Sequence, residues 1–153
     1  MTRIIVCDTG PLLHLSEAGA IHLLSSAGEV LMPPLVGIEF EANAQGWQPP
    51  QWVRQVSLTR ATRQKAEKWV GAKKIDAGEA EAIGLALQEQ AEWFLTDDAK
   101  ARQFAESLGL EVHGSIAILL WSVATGLIQE KAIAIRLLEN FTGAGIVFRA
   151  SLH

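Results

Sequence analysis

Ile4-Ile5-Val6-Cys7-Asp8-Thr9-Gly10-Pro11 is the stretch on which the reading of this chain turns. The four apolar residues form a short continuous run, the pattern of a parallel strand buried on both faces rather than a half-exposed one. Gly10-Pro11 then predicts a turn. In open α/β sheets, ligands bind in the crevice beyond the carboxyl ends of the strands. Asp8, the first residue past such a strand, is therefore aimed at the place where these folds do chemistry.

Working outward, short apolar runs alternate with amphipathic stretches. Strands are expected over 3–7, 29–32, 93–96 and 110–112, with a weaker one at 146–149. Helices are expected over 12–26 with a break at Gly19, and over 34–45, 60–70, 78–90, 98–108, 114–126 and 129–141. Strands separated by helices of this length imply parallel βαβ units with right-handed crossovers. Gln48-Pro49-Pro50-Gln51 is the one plain loop signal. The expected fold is a three-layer α/β/α sandwich with a mostly parallel central sheet, in one domain over residues 1–153.

Composition sets the limits. Of the 153 residues, 49% are hydrophobic and 20% charged, which predicts a packed core. No apolar run reaches the roughly 18 residues of a membrane span, and the N-terminus lacks a signal-peptide pattern, so a cytoplasmic location is expected. Cys7 is the single cysteine, which excludes an internal disulfide framework and a multi-cysteine zinc site. A formal charge of −4 argues against indiscriminate nucleic-acid binding while leaving room for a local basic patch.

Acids recur where the elements meet. Asp8 follows the first strand, and Glu39 lies on the helix after the second. Asp76 and Glu79 begin the helix of Ile75-Asp76-Ala77-Gly78-Glu79-Ala80-Glu81-Ala82-Ile83. Asp97 and Asp98 follow the strand at 93–96. If that strand neighbours the first, Asp8 and the Asp97/Asp98 pair lie about one strand spacing apart, near 5 Å. Carboxylates this close repel unless protonated or bound to a cation, and a hard ion such as Mg²⁺ or Mn²⁺ answers that with oxygen ligands. A plain structural role is open to several of them. Asp76-x-x-Glu79 fits a capping box, and either Asp97 or Asp98 could cap the next helix. Glu39 sits among apolar residues, whereas Glu41 suits solvent.

In these segments the sequence resembles the PIN-domain family, in its short prokaryotic branch related to VapC-type toxins. The resembling segments are Asp8-Thr9-Gly10-Pro11-Leu12, Pro34-x-Val36-x-x-Glu39, Asp76-x-Gly78-Glu79-Ala80-Glu81-Ala82-Ile83, Asp97-Asp98-x-x-Ala101-Arg102 and Gly114-Ser115-Ile116-Ala117-Ile118-Leu119. The resemblance implies a Rossmann-like sandwich and a Mg²⁺- or Mn²⁺-dependent ribonuclease site. Its acids would be Asp8, Glu39, Glu79 and Asp98, with Asp76 and Asp97 as support or alternate metal ligands, and with Thr9 and Ser115 supporting. Many members carry Asp where Glu79 stands here, one carbon shorter; the Asp-x-Gly-Glu-Ala wording makes Glu native to this branch. The resemblance also implies the toxin of a type II toxin–antitoxin pair, a homodimer and a small cognate antitoxin.

An RNA strand needs positive charge near these acids. Arg54 to Lys74 holds 7 of the 13 basic residues and one acid, Glu67. Arg60, Arg63, Lys73 and Lys74 in this stretch, with Lys100 and Arg102 beyond it, are the RNA-binding candidates; a solvated helix face is the plain alternative. Trp47, Trp52 and Trp69 could stack bases but suit packing better. His14, His22, His113 and His153 lack ligand-like spacing and read as ordinary surface or partly packed residues. The competing function is a non-catalytic α/β interaction module whose acids cap helices or hold a structural cation. A phospho-accepting receiver and a haloacid-dehalogenase-type phosphatase lack support, because Thr9-Gly10-Pro11 follows Asp8 where a second acid would be needed.

Overall fold

Five parallel strands form one sheet in a computed structural model that describes residues 2–44, 46 and 48–143. The elements run β1 (Ile4–Cys7), α1 (Thr9–Glu17), α2 (His22–Ala27), β2 (Glu29–Met32), α3 (Pro34–Asn43), β3 (Val53–Gln55) and α4 (Arg60–Gly71). They continue α5 (Ala77–Gln88), β4 (Trp93–Leu95), α6 (Ala99–Ser107), β5 (Val112–His113), α7 (Ser115–Ala124) and α8 (Lys131–Gly143). The strand order is β3-β2-β1-β4-β5. Among the described residues every pairing is parallel, as expected of strands linked by helices.

β1 is the central strand, paired with β2 on one side and β4 on the other, and its Ile5, Val6 and Cys7 are fully buried. Burial of each such aliphatic side chain stabilises the fold by about 1.5–3 kcal/mol. α5 packs on β1 and β4 through Ala80, Ala82, Ile83 and Leu85, all inaccessible to solvent. Register pairs Cys7 with Leu95, and the Asp8 N–H continues the ladder to the Leu95 carbonyl at 2.9 Å. Asp8 thus leaves the sheet beside Thr96, with Asp97 and Asp98 just beyond.

Three expectations need correction. Gly10-Pro11 does not turn the chain out of regular structure: α1 starts at Thr9, and Pro11 sits in its first turn, where a missing N–H costs nothing. The expected helix 12–26 begins earlier, at Thr9, while its expected break is present as a turn after Glu17 in which Gly19 takes φ +73°. β3 was not foreseen; it is three residues long with only Val53 buried, too short to show a pattern. The expected strand at 146–149 lies outside the described residues, as do Trp47 and His153. No helix among the described residues is long and apolar enough to cross a membrane.

Candidate active site

Beyond the carboxyl ends of β1 and β4 lies a cleft of about 330 Å³, lined by Asp8, Thr9, Gly10, His14, Glu39, Asp76, Glu79, Thr96, Asp97 and Asp98. All six acids singled out in the sequence meet there, although they come from well-separated segments.

Local chemistry explains how each is held. Asp8 caps α1, its Oδ1 accepting from the Thr9 N–H at 2.8 Å, while Oδ2 accepts from the Thr96 hydroxyl at 3.1 Å. Glu39 lies three residues after buried Val36 and next to buried Phe40, so its helix face turns inward; its Oε1 accepts from the Thr9 hydroxyl at 3.3 Å. Asp76 and Glu79 form a full capping box at the start of α5. Asp98 caps α6 by accepting from the Ala101 N–H at 2.8 Å. The capping reading is therefore correct for Asp76 and Asp98, Asp8 caps α1 as well although no cap was expected of it, and capping coexists with convergence on one cleft. A cap ties down one carboxylate oxygen and fixes where the other points. Glu39 Oε2, Asp76 Oδ2, Glu79 Oε2 and Asp98 Oδ1 accept no hydrogen bond among the described residues.

Gly78 shows how closely these elements approach. A Cβ there would collide with Glu39 Oε1, so glycine lets the first turn of α5 close over the Glu39 carboxylate where it stands.

Asp97 behaves differently from its neighbour. Its Oδ1 accepts from the Ser115 N–H at 2.7 Å, and its Oδ2 meets both the Ser115 hydroxyl and His14 Nδ1, the latter at 2.7 Å. It serves as the side-chain cap that Gly114, the residue before α7, cannot provide. A Cβ on Gly114 would lie 2.9 Å from Asp97 Oδ1, so this contact also depends on a glycine. Both Asp97 oxygens are taken by protein donors, whereas Asp98 keeps one free.

The electrostatics follow from crowding. Burial first, then the charges of Asp76 and Glu39, push the Asp8 carboxyl up to about 6 against the hydrogen bonds from Thr9 and Thr96. Burial, with Asp76, Asp98 and Asp8 nearby, pushes Glu79 up to about 7. Burial likewise raises Glu39, with Asp76 and Glu81 adding to it. Burial pushes Asp97 upward too, but His14 and the two Ser115 donors outweigh it and hold this carboxyl below its usual range. Among the described residues no Lys or Arg nitrogen comes within 4.0 Å of any of the six acids. The donor set is all oxygen, negatively charged and short of cations, which fits a hard divalent ion. No three acid, cysteine or histidine groups among the described residues converge on one point as a finished ligand set; the carboxylates stand around the cleft on their caps.

The basic candidates lie elsewhere. Arg60, Arg63, Lys73, Lys74 and Lys100 are exposed and Arg102 is half-buried, and none lines the cleft. Lys74, before Asp76, and Lys100, after Asp98, come closest to the acids in sequence. Trp69 packs edge-on against Phe104, with ring centres 5.3 Å apart. Reading His14 as an ordinary packed residue was wrong, since it lines the cleft and bonds Asp97. Thr96 was also missed. The parallel register of β1 with β4 would have pointed to it, because it sets Thr96 level with Asp8.

A family model described as a PIN domain, DUF3368, matches residues 4–150. The chain belongs to the PIN-domain family. No curated protein matches the sequence. Among solved structures, the fold is similar to that of Mycobacterium tuberculosis VapC20, described as a sarcin-ricin loop cleaving toxin. That match has a TM-score of 0.52 at 16% identity, covering 65% of this chain and 94% of that one. At such identity the likeness concerns the α/β sandwich alone. For this PIN domain it agrees with the parallel sheet and flanking helices described above.

Proposed function

We propose that this PIN-domain chain is a divalent-metal-dependent endoribonuclease acting as the toxin of a type II toxin–antitoxin pair. The observation that carries the reading is the meeting of six carboxylates in one cleft at the sheet's carboxyl edge, with no lysine or arginine among the described residues paired to them and only His14 on Asp97. Family membership supports the nuclease chemistry, and the fold likeness to a described toxin supports the toxin role.

Asp8, Glu39, Glu79 and Asp98 would hold Mg²⁺ or Mn²⁺, with Asp76 beside them. When bound, the ion supplies a Lewis acid for the phosphate oxygens and lowers the pKa of water. The chain's own contribution is positioning. Thr9 and Thr96 fix the Asp8 carboxylate, and Thr9 also tethers Glu39, whose Oε2 can accept a hydrogen bond from the attacking water. The exposed basic residues of α4 and the turn after it, Arg60, Arg63, Lys73 and Lys74, with Lys100 and Arg102 on α6, would contact phosphates flanking the cut. A cytoplasmic homodimer blocked by a small antitoxin completes the proposal. Exposed Leu120, Val123, Leu127, Ile133 and Ile135 on and around α7 and α8 offer apolar surface for such partners.

The alternative, acids that only cap helices in a non-catalytic module, draws support from the three caps. It leaves Glu39 without a reason to face the same cleft. Asp8→Asn tests the choice: RNA cleavage by the purified protein in Mg²⁺ or Mn²⁺ should fall by about 10²-fold or more, the scale expected when one key charge-stabilising group is lost. Cleavage surviving unchanged would remove Asp8 from the reaction.

A further inference from the structure

His14 is the one nitrogen-bearing side chain lining a cleft otherwise walled by carboxylates, hydroxyls and a glycine. A phosphodiester entering it meets acceptors almost everywhere. Even with a cation bound, the oxygens of an anion also need hydrogen-bond donors, and carboxylates cannot supply them. The described basic side chains stop short of the cleft.

The His14 ring is held from three elements. Asp97, after β4, accepts from Nδ1 at 2.7 Å, and Ser115, at the start of α7, fixes Asp97 through its backbone N–H and its hydroxyl. An ionised carboxylate only accepts, so Nδ1 carries a proton in this contact. The remaining ring nitrogen, Nε2, has no partner among the described residues, and it too carries a proton to donate in the imidazolium form, which the hydrogen bond to Asp97 favours. The same acid–imidazole pairing orients the base of hydrolytic triads. The order differs here: Ser115 bonds Asp97 rather than His14, so no activated serine nucleophile results. What results is a braced imidazole, lining the cleft with one nitrogen left open among the described residues.

We propose that His14 is a catalytic residue whose Nε2–H donates to a phosphate oxygen of the bound strand, with Asp97 and Ser115 as its positioning residues rather than metal ligands. The inference rests on the ribonuclease reading, and the experiment separates the two.

His14→Gln, Asp97→Asn and Asp98→Asn are compared with the unmodified chain for RNA cleavage and, separately, for Mn²⁺ affinity by calorimetry. Cleavage by His14→Gln should drop about 10²-fold in kcat, the cost typical of losing one charge-stabilising donor. Its Mn²⁺ affinity should stay within about twofold of the parent, while Asp98→Asn loses Mn²⁺ binding. Asp97→Asn should follow His14→Gln in both measurements. A His14→Gln protein that cuts at the parental rate overturns the proposal and leaves the nuclease reading standing. If His14→Gln or Asp97→Asn weakens Mn²⁺ as Asp98→Asn does, the pair belongs to the ion's ligand shell and the proposal is wrong. If the unmodified chain neither cuts RNA nor binds Mn²⁺, the nuclease reading falls, and the proposal with it. A readout independent of cleavage uses the unmodified protein labelled with ¹⁵N-histidine. Adding a short oligoribonucleotide should move the His14 Nε2 resonance well beyond those of His22 and His113, and equal movement or none counts against the contact.

Discussion

Asp8 carries a tension that can be measured. Its carboxyl is buried and pushed up to about 6, above its ordinary 3.8, so the folded chain binds a proton there more tightly than the unfolded chain does. A raised carboxyl of this kind favours the fold at low pH and loses that advantage as pH climbs through about 6. In the metal-free protein Asp8→Asn should therefore raise Tm at pH 8, by the equivalent of roughly 2–3 kcal/mol. The gain should shrink as pH falls toward 4, which thermal melts across pH would show. Asn can still accept from the Thr9 N–H, so the cap survives. The same substitution should cut RNA cleavage by about 10²-fold or more, and a variant more stable yet less active would mark a site where charge is held for function. Gly78→Ala should act the other way: its Cβ strikes Glu39, and about 1–3 kcal/mol of stability goes with the forced shift. Denaturant titration would reveal it, and an unchanged midpoint would show that Glu39 moves aside freely. At this scale the acids were legible because a carboxylate after a buried strand or at a helix start stands out in one dimension. His14 and Thr96 were not, because their partners Asp97 and Asp8 are 83 and 88 residues away.

Helix ends do two jobs in this protein. Asp98 caps α6 with one oxygen and offers the other to the cleft. Asn caps a helix as well as Asp does, whereas Ala does not. Asp98→Asn should thus leave Tm close to the parent while removing activity, and Asp98→Ala should lose activity together with about 1 kcal/mol of stability. Thr59→Ala, at the α4 cap remote from the acids, should cost similar stability and leave kcat alone. Melts and cleavage rates on the three variants separate capping from chemistry. Most elements could be read from the sequence because their apolar runs are long or cleanly periodic. The exceptions have local causes. A proline in a helix's first turn looks like a breaker, and a three-residue edge strand has no period to find.

Across the whole molecule charge is divided between places. The net charge of −4 is concentrated functionally in the cleft, while α4 presents Arg60, Arg63, Lys65 and Lys68 to solvent. Contacts from α4 to RNA phosphates would make affinity fall with salt, each neutralised phosphate of a single strand adding about 0.7 to the log–log slope. Reversing Arg60 and Arg63 together to Glu should weaken RNA binding about tenfold and flatten that slope, as salt-dependent binding titrations would detect; an unaltered slope would return α4 to the status of a solvated face. The sheet order itself was beyond the sequence, since nothing local states that β4 inserts beside β1. That order has a consequence for synthesis. The first acid of the cleft is made within the opening ten residues, but β4, Asp98 and the α7 start that braces Asp97 come far later. On the nuclease reading proposed above, a nascent chain leaving the ribosome would hold no complete set of cleft acids until Asp98 has emerged, and a copy ending before Ser115 would lack the brace on Asp97.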